Sequence, residues 1–170
     1  MRPSGVSSRL ALLLALTLLG GCWFHYGFAG GGLPQNVHTV AVLPFDNQTP
    51  SPEVQAELHD YMRDQLQRRL GVRNVAQDRA DALVRGVIQA YDADVPIAFS
   101  SDPVQAVSAR RRLQITIDVE IVDQTSGKVL FQRKGLRGEG DYAEGGEAQG
   151  RRQAIEQLVN GIVEGAQSQW

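Results

Sequence analysis

From Arg112 to Ile121, within a strand read over Arg110–Asp123, the chain alternates without a miss. Leu113, Ile115, Ile117, Val119 and Ile121 are interleaved with Arg112, Gln114, Thr116, Asp118 and Glu120. A period of two sends successive side chains to opposite faces of a pleated strand. One face of such a strand is dry and the other wet, which is the pattern of an antiparallel sheet covered on one side. The next residues fit that sheet. Asp123–Lys128, "DQTSGK", reads as a hairpin turn with Gly127 supplying a positive φ, and Val129–Leu136 reads as the returning strand. Arg137–Glu147, "RGEGDYAEGGE", is polar and glycine-rich and reads as a loop.

The cover for the dry face comes from two amphipathic segments. Val54, Leu58, Tyr61, Met62, Leu66 and Leu70 form one stripe at helical spacing, which predicts a helix over 52–70. Ser51 suits its N-cap, Pro52 its first position and Gly71 its end. Ile155, Leu158, Val159, Ile162, Val163 and Ala166 form a second stripe near the C-terminus. Two further strands are expected, Val37–Phe45 and Ala82–Val95. In the second, Gly86 signals a bulge or a close approach. Val72–Val75 reads as a short edge strand, Asp46–Pro52 and Asp78–Asp81 as turns. Pro96–Ala109 is a long connection of the kind that is often functional. The expectation is an α+β two-layer sandwich: a mixed or antiparallel sheet of about four strands in the order β-α-β-β-β-α, with both helices on one face.

The N-terminus states an address. Arg2 and Arg9 precede the apolar run Leu10–Leu19, and Gly20 and Gly21 precede Cys22, the chain's only cysteine. That is the layout of a secretory leader, and the run is short of the roughly 20 residues a membrane span needs. Leu19-Gly20-Gly21-Cys22 resembles the bacterial lipobox. The resemblance implies cleavage before Cys22 and acylation of its thiol. Two or more acyl chains anchor stably. Trp23 at the next position, where sorted lipoproteins retained at the inner membrane have aspartate, implies the outer membrane. The expected organisation is a leader over 1–21, a lipidated cysteine with a short tether over 22–36, and one domain over 37–170. Within the tether, Trp23, Phe24, Tyr26 and Phe28 either meet lipid headgroups or a partner, or lie against the domain.

Composition and motifs close off several functions. A single cysteine rules out an internal disulfide and a cysteine-based zinc cluster. His25, His38 and His59 lack ligand spacing, so no metal and no cofactor are expected. Without Arg2 and Arg9 the chain has 15 basic against 19 acidic residues, a poor balance for binding nucleic acid. The glycines of "GFAGGGLPQ" lack the lysine and helix start of a phosphate loop. Asp92-Ala93-Asp94 is a D-x-D that reads either as a cation site or as a solvated strand end. No nucleophile elbow, zinc-protease motif or Walker loop is present, and the chain reads as a non-enzyme.

One cluster stands out. Arg110, Arg111 and Arg112 open the alternating strand, and Arg133, Lys134 and Arg137 lie on its expected partner. Equal distances of Arg112 and Arg137 from the turn would bring the groups together. They would then form an anion site with forks suited to phosphate. The alternative is a solvated strand end relieved by acids such as Glu139 and Asp141.

The order of these pieces resembles the LPS-assembly lipoprotein family LptE. The resemblance rests on the lipobox cysteine, the aromatic, glycine-rich segment ending in Leu33-Pro34, "VHTVAVLPFDNQT" (37–49), "ADALVRGVI" (80–88), "RRLQITIDVEIVDQTSGKVLFQ" (111–132) and "RRQAIEQLVNGIV" (151–163). It implies a noncatalytic protein that plugs an outer-membrane β-barrel of the LptD type, helps it assemble and binds lipopolysaccharide. "VAVLPFDNQT" also resembles the start of two other envelope lipoproteins, the peptidoglycan-synthase activator LpoB and the secretion lipoprotein CsgG. The former is the competing reading, a regulatory binding module. About 14 residues separate Cys22 from the first strand, and even fully extended they span only roughly 50 Å, too little for the long reach of that class. CsgG needs long membrane-spanning amphipathic strands, which the sequence does not offer.

Overall fold

The computed structural model describes residues 33–96 and 111–168. The leader, Cys22, the aromatic tether, Arg110 and the connection over 97–110 lie outside the described residues. Six strands and two helices follow in chain order. They are β1 (Thr39–Val42), β2 (Asp46–Asn47), α1 (Pro52–Leu70), β3 (Arg73–Asn74), β4 (Ala82–Pro96), β5 (Arg111–Asp123), β6 (Val129–Tyr142) and α2 (Glu147–Ser168). A 3₁₀ turn at Gln77–Arg79 links β3 to β4.

The strands form one mixed sheet in the order β3-β1-β4-β5-β6, with β2 also lying along β4. The pairs β1–β3, β1–β4 and β2–β4 are parallel, and β4–β5 and β5–β6 are antiparallel. The α+β class and the helix cover are as the sequence indicates. The strand count is six where about four main strands were expected: β3 lies within Val72–Val75, read as a short edge strand, and β2 is a two-residue pair in a segment read as a turn.

β5 behaves as its alternation dictates. Leu113, Ile115, Ile117 and Ile121 are fully buried, Val119 nearly so, and the intervening residues are half-exposed. Burying an aliphatic side chain of this size contributes about 1.5–3 kcal/mol, so this face alone fixes the register. α1 meets it with Val54, Leu58, Met62 and Leu66, and α2 with Ala154, Ile155, Leu158, Val159, Ile162, Val163 and Ala166. Gly71 ends α1 at φ 68, as its position predicts. Ser51 has the extended backbone of an N-cap but makes no side-chain cap bond. Its carbonyl instead accepts from Asn47 at 2.8 Å, and Pro52 at the first helical position removes one of the donors a cap would serve.

β6 is longer than expected, and its glycines explain why. Gly138 and Gly140, read as loop residues, lie inside the strand opposite Ile115 and Leu113. A Cβ on Gly138 would stand 2.2 Å from the Ala154 carbonyl oxygen, and one on Gly140 would stand 1.9 Å from that of Gly150. These glycines let α2 lie directly on the strand backbone. Gly86 serves the same purpose in β4, where a Cβ would meet the Asp118 carbonyl at 2.2 Å and the Phe45 ring at 2.5 Å. The β4 bulges fall elsewhere, between Ile88 and Ala90 and between Asp92 and Val95.

Two aspartates tie one end of the sheet. Asp81 accepts the backbone N–H groups of His38 and Thr39 and the Thr39 hydroxyl, at 2.9, 2.8 and 2.8 Å. Asp123, only 7% exposed, accepts the N–H groups of Thr125 and Ser126 in the hairpin turn and the Asn36 amide. Both carboxyls are held below the usual carboxylate range, Asp81 first by the His38 N–H and Asp123 first by the Ser126 N–H.

Candidate functional site: the polar strand face and the basic bulge of β6

The helices cover one face of the sheet. The other is built from the polar half of β5 and its neighbours on β4 and β6. Arg85 on β4 sits opposite Glu120, and their side chains meet at 2.5 Å. Gln89 donates to Asp118 at 2.7 Å. Arg112 bonds Glu139 at 3.1 Å and Asp141 at 2.9 Å. Exposed pairs like these contribute at most about 1 kcal/mol each. Their larger effect is to make this side of the sheet charged but internally matched.

The six expected cations are not one cluster. Arg110 lies outside the described residues. Arg111 is paired with Asp94 at 3.5 Å. Arg112 lies opposite Asp141, and its guanidinium is pushed up by the hydrogen bond to that residue and by Glu139 behind it. Arg137 is opposite Thr116 and Arg133 opposite Val119. At about 3.3 Å per residue, those positions lie roughly 13 and 23 Å along β5 from Arg112. The separation has a physical origin. β6 gains a residue at each of two irregularities, between Ile117 and Val119 and between Ile121 and Val122 of its partner. They add to an offset already set by the turn: a regular ladder from Val122 and Val129 would place Arg137 opposite Gln114 and Arg133 opposite Asp118, and the bulges move Arg137 by two further residues and Arg133 by one. At the Arg112 end, Glu139 and Asp141 relieve the charge, as the solvated alternative expects.

What remains is a smaller group. Arg133, Lys134 and Arg137 are exposed and have no carboxylate partner among the described residues. They surround Gly135, whose φ of 62 marks the first irregularity. The Gly135 N–H donates to Asp118 at 2.7 Å, so the polar face of β5 pins the bulge in place. The D-x-D of Asp92 and Asp94 falls on the second bulge of β4, with Asp94 engaged by Arg111. Among the described residues no group of His, Cys, Asp or Glu is placed to hold a metal ion. No helix there is long and apolar enough to cross a membrane.

The sequence reading missed one network. Arg151 of α2, 15% exposed at its side chain, forks onto both carboxylate oxygens of Glu57 on α1 at 2.8 and 3.1 Å. Its other nitrogen reaches the Tyr91 hydroxyl at 3.4 Å, and Tyr91 donates to Glu147 at 2.6 Å. Burial, and after it the bond to Glu147, pushes the Tyr91 phenol up to about 12. Arg151 is itself raised, first by Glu57. Only the bulk and polarity of "RR" at the head of α2 hinted at this clamp.

A two-helix layer on one face of a mixed sheet is an arrangement that several solved bacterial proteins share. The PelC dodecamer from Paraburkholderia phytofirmans superposes with a TM-score of 0.51 at 15% identity, covering 80% of this chain and 93% of that chain. Lipoprotein B from Nitrosomonas europaea gives 0.51 at 9% identity, covering 82% and 86%. A Xanthomonas campestris protein of family DUF330 gives 0.53 at 11%, covering 81% and 88%. Likeness at these identities is a likeness of fold. No curated protein matches the chain. The family model described as LptE, lipopolysaccharide-assembly, matches residues 37–165, well over half of the sequence. The chain belongs to the LptE family.

Proposed function

We propose that this chain is a noncatalytic lipoprotein of the outer membrane. In this reading residues 1–21 are a leader, Cys22 carries the acyl anchor, and residues 37–170 form one domain on the periplasmic side. That domain sits in a β-barrel of the LptD type, assists its assembly and contacts lipopolysaccharide on its way to the outer leaflet. Family membership over 37–165 carries the reading. The matched charges of the β4–β6 face suit a polar barrel lumen, because paired charges reach a wet wall without a stranded ion. Of the six basic residues, Arg133, Lys134 and Arg137 are the favoured phosphate contacts, since they alone combine exposure with an open charge among the described residues.

The test is a pull-down of the lipidated protein from outer-membrane extract, with lipopolysaccharide binding measured alongside. A large β-barrel should co-purify. A peptidoglycan synthase in its place would favour the regulatory alternative. Reversing Arg133, Lys134 and Arg137 to glutamate should weaken lipopolysaccharide binding about tenfold and leave the barrel in the pull-down. Undiminished binding would remove these residues from the site, and absence of a barrel would overturn the reading itself. Cys22→Ser should release the protein from the membrane fraction.

A further inference from the structure

Two polar ties join the helices. Arg151 closes on Glu57 near their starts, and further along Arg69 donates to Asn160 at 2.5 Å. Between these ties opens a groove of about 620 Å³. Its apolar surface includes the ring of Tyr61 and the flank of Ile155, and its rims carry Asp60, Asp64 and Glu156. It lies on the helix layer, opposite the polar strand face.

The rim charges select what fits there. Glu57 is used by Arg151, and Asp64 is held by Arg68 at 2.8 Å. Asp60 on α1 and Glu156 on α2 both line the groove, one from each helix, and have no cationic partner among the described residues. Arg152 is the lining's one cation, one turn before Glu156 on the same helix. Burial raises the Tyr61 phenol, and Glu156 is the next cause, so the floor feels the negative rim. An apolar side chain flanked by a cation would bury its body on Tyr61 and Ile155 and set its charge between Asp60 and Glu156.

We propose that this groove docks a segment of a partner protein in which an apolar residue is flanked by lysine or arginine. The groove lies on the helix layer, so this contact is separate from any made along the polar strand face.

The experiment places a photo-reactive benzoylphenylalanine at Gln149, an exposed lining position, in the full lipidated chain in its own envelope. After irradiation the cross-linked peptide is sequenced. The expected adduct lies on a protein segment with lysine or arginine within two residues of the attachment point. It should fall at least tenfold when Asp60→Lys and Glu156→Lys are introduced, with the melting temperature unchanged. No adduct would overturn the proposal, as would an adduct to lipid or to a second copy of this chain. So would an adduct to a segment lacking cations, or one indifferent to charge reversal. Co-purification of the barrel is read separately, so either conclusion can fail alone.

Discussion

Adding one methyl group at Gly140 should cost about as much as truncating a buried aliphatic side chain. The Cβ would lie 1.9 Å from the Gly150 oxygen and 2.7 Å from its carbon, both backbone atoms that no rotamer can move. Ordinary contact begins at 3.4 Å, so α2 would have to retreat by about 1.5 Å over its first turns. A gap of 0.5–1 Å already forfeits a quarter to a half of each dispersion contact beneath it. Ala154, Ile155 and Leu158 lie in that stretch, all with 2% exposure or less. Gly140→Ala is therefore expected to lose about 3 kcal/mol, the upper end of what overpacking costs. Gly161→Ala is the matched control. It adds the same methyl to α2, where the nearest atom is the Leu136 Cδ1 at 3.8 Å. Replacing a helical glycine by alanine should there gain about 0.5–1 kcal/mol. In urea, followed by far-UV circular dichroism, an m-value of about 1.5–2 kcal/mol/M would lower the first midpoint by roughly 1.5–2 M. The second midpoint should rise by a few tenths of a molar. A neutral Gly140→Ala, or a destabilising Gly161→Ala, would refute the claim that these strand glycines exist to admit the helix.

Other outcomes follow from the titrating groups. Asp81 and Asp123 are depressed in the folded state, so their contribution is complete above the unfolded carboxylate pKa of 3.8 and is lost as pH falls through the lower folded values. Thermal melts from pH 5 down to pH 2 should show that loss, and Asp81→Asn together with Asp123→Asn should flatten it. Tyr91 runs the other way. Its folded pKa of about 12 lies above the unfolded 10.0, so its share of stability is intact below pH 10 and lost between 10 and 12. Tyr91→Phe should remove that alkaline slope. Arg151→Met should destabilise by about 1–3 kcal/mol, because it strands the half-buried Glu57, and Glu57→Gln should recover part of the loss in the double variant.

The parts of this fold that were legible in the sequence are those where one periodicity ruled a whole element. β5 alternates because one of its faces is dry, and both helices carry stripes because each rests on that face. The parts that were not legible depend on a neighbour distant in sequence. Gly138 and Gly140 look like loop residues until Gly150 and Ala154 are laid against them. β2 is a strand only because Val87 and Ile88 of β4 lie beside it. The basic cluster dissolved for a related reason. Its assembly assumed a turn centred on residue 125 and a regular ladder; the extra residue near Leu130 shifts both Arg133 and Arg137, and the one near Gly135 shifts Arg137 again. A bulge is a local event with a remote effect, and alternation on one strand says nothing of it.

The chain enters this domain at one tip. Asn36 bonds Asp123, the residue at the mouth of the β5–β6 turn, so the first described residues and the hairpin share an end of the sheet. From there β5 runs about 40 Å to the opposite tip. A hold on the domain at this entry would act at one end of a long lever. A tilt of about 10° about that end would carry the far tip of β5 through roughly 7 Å over that length. The domain's orientation would then depend on lateral contacts along the strands, where the polar face runs the length of the lever.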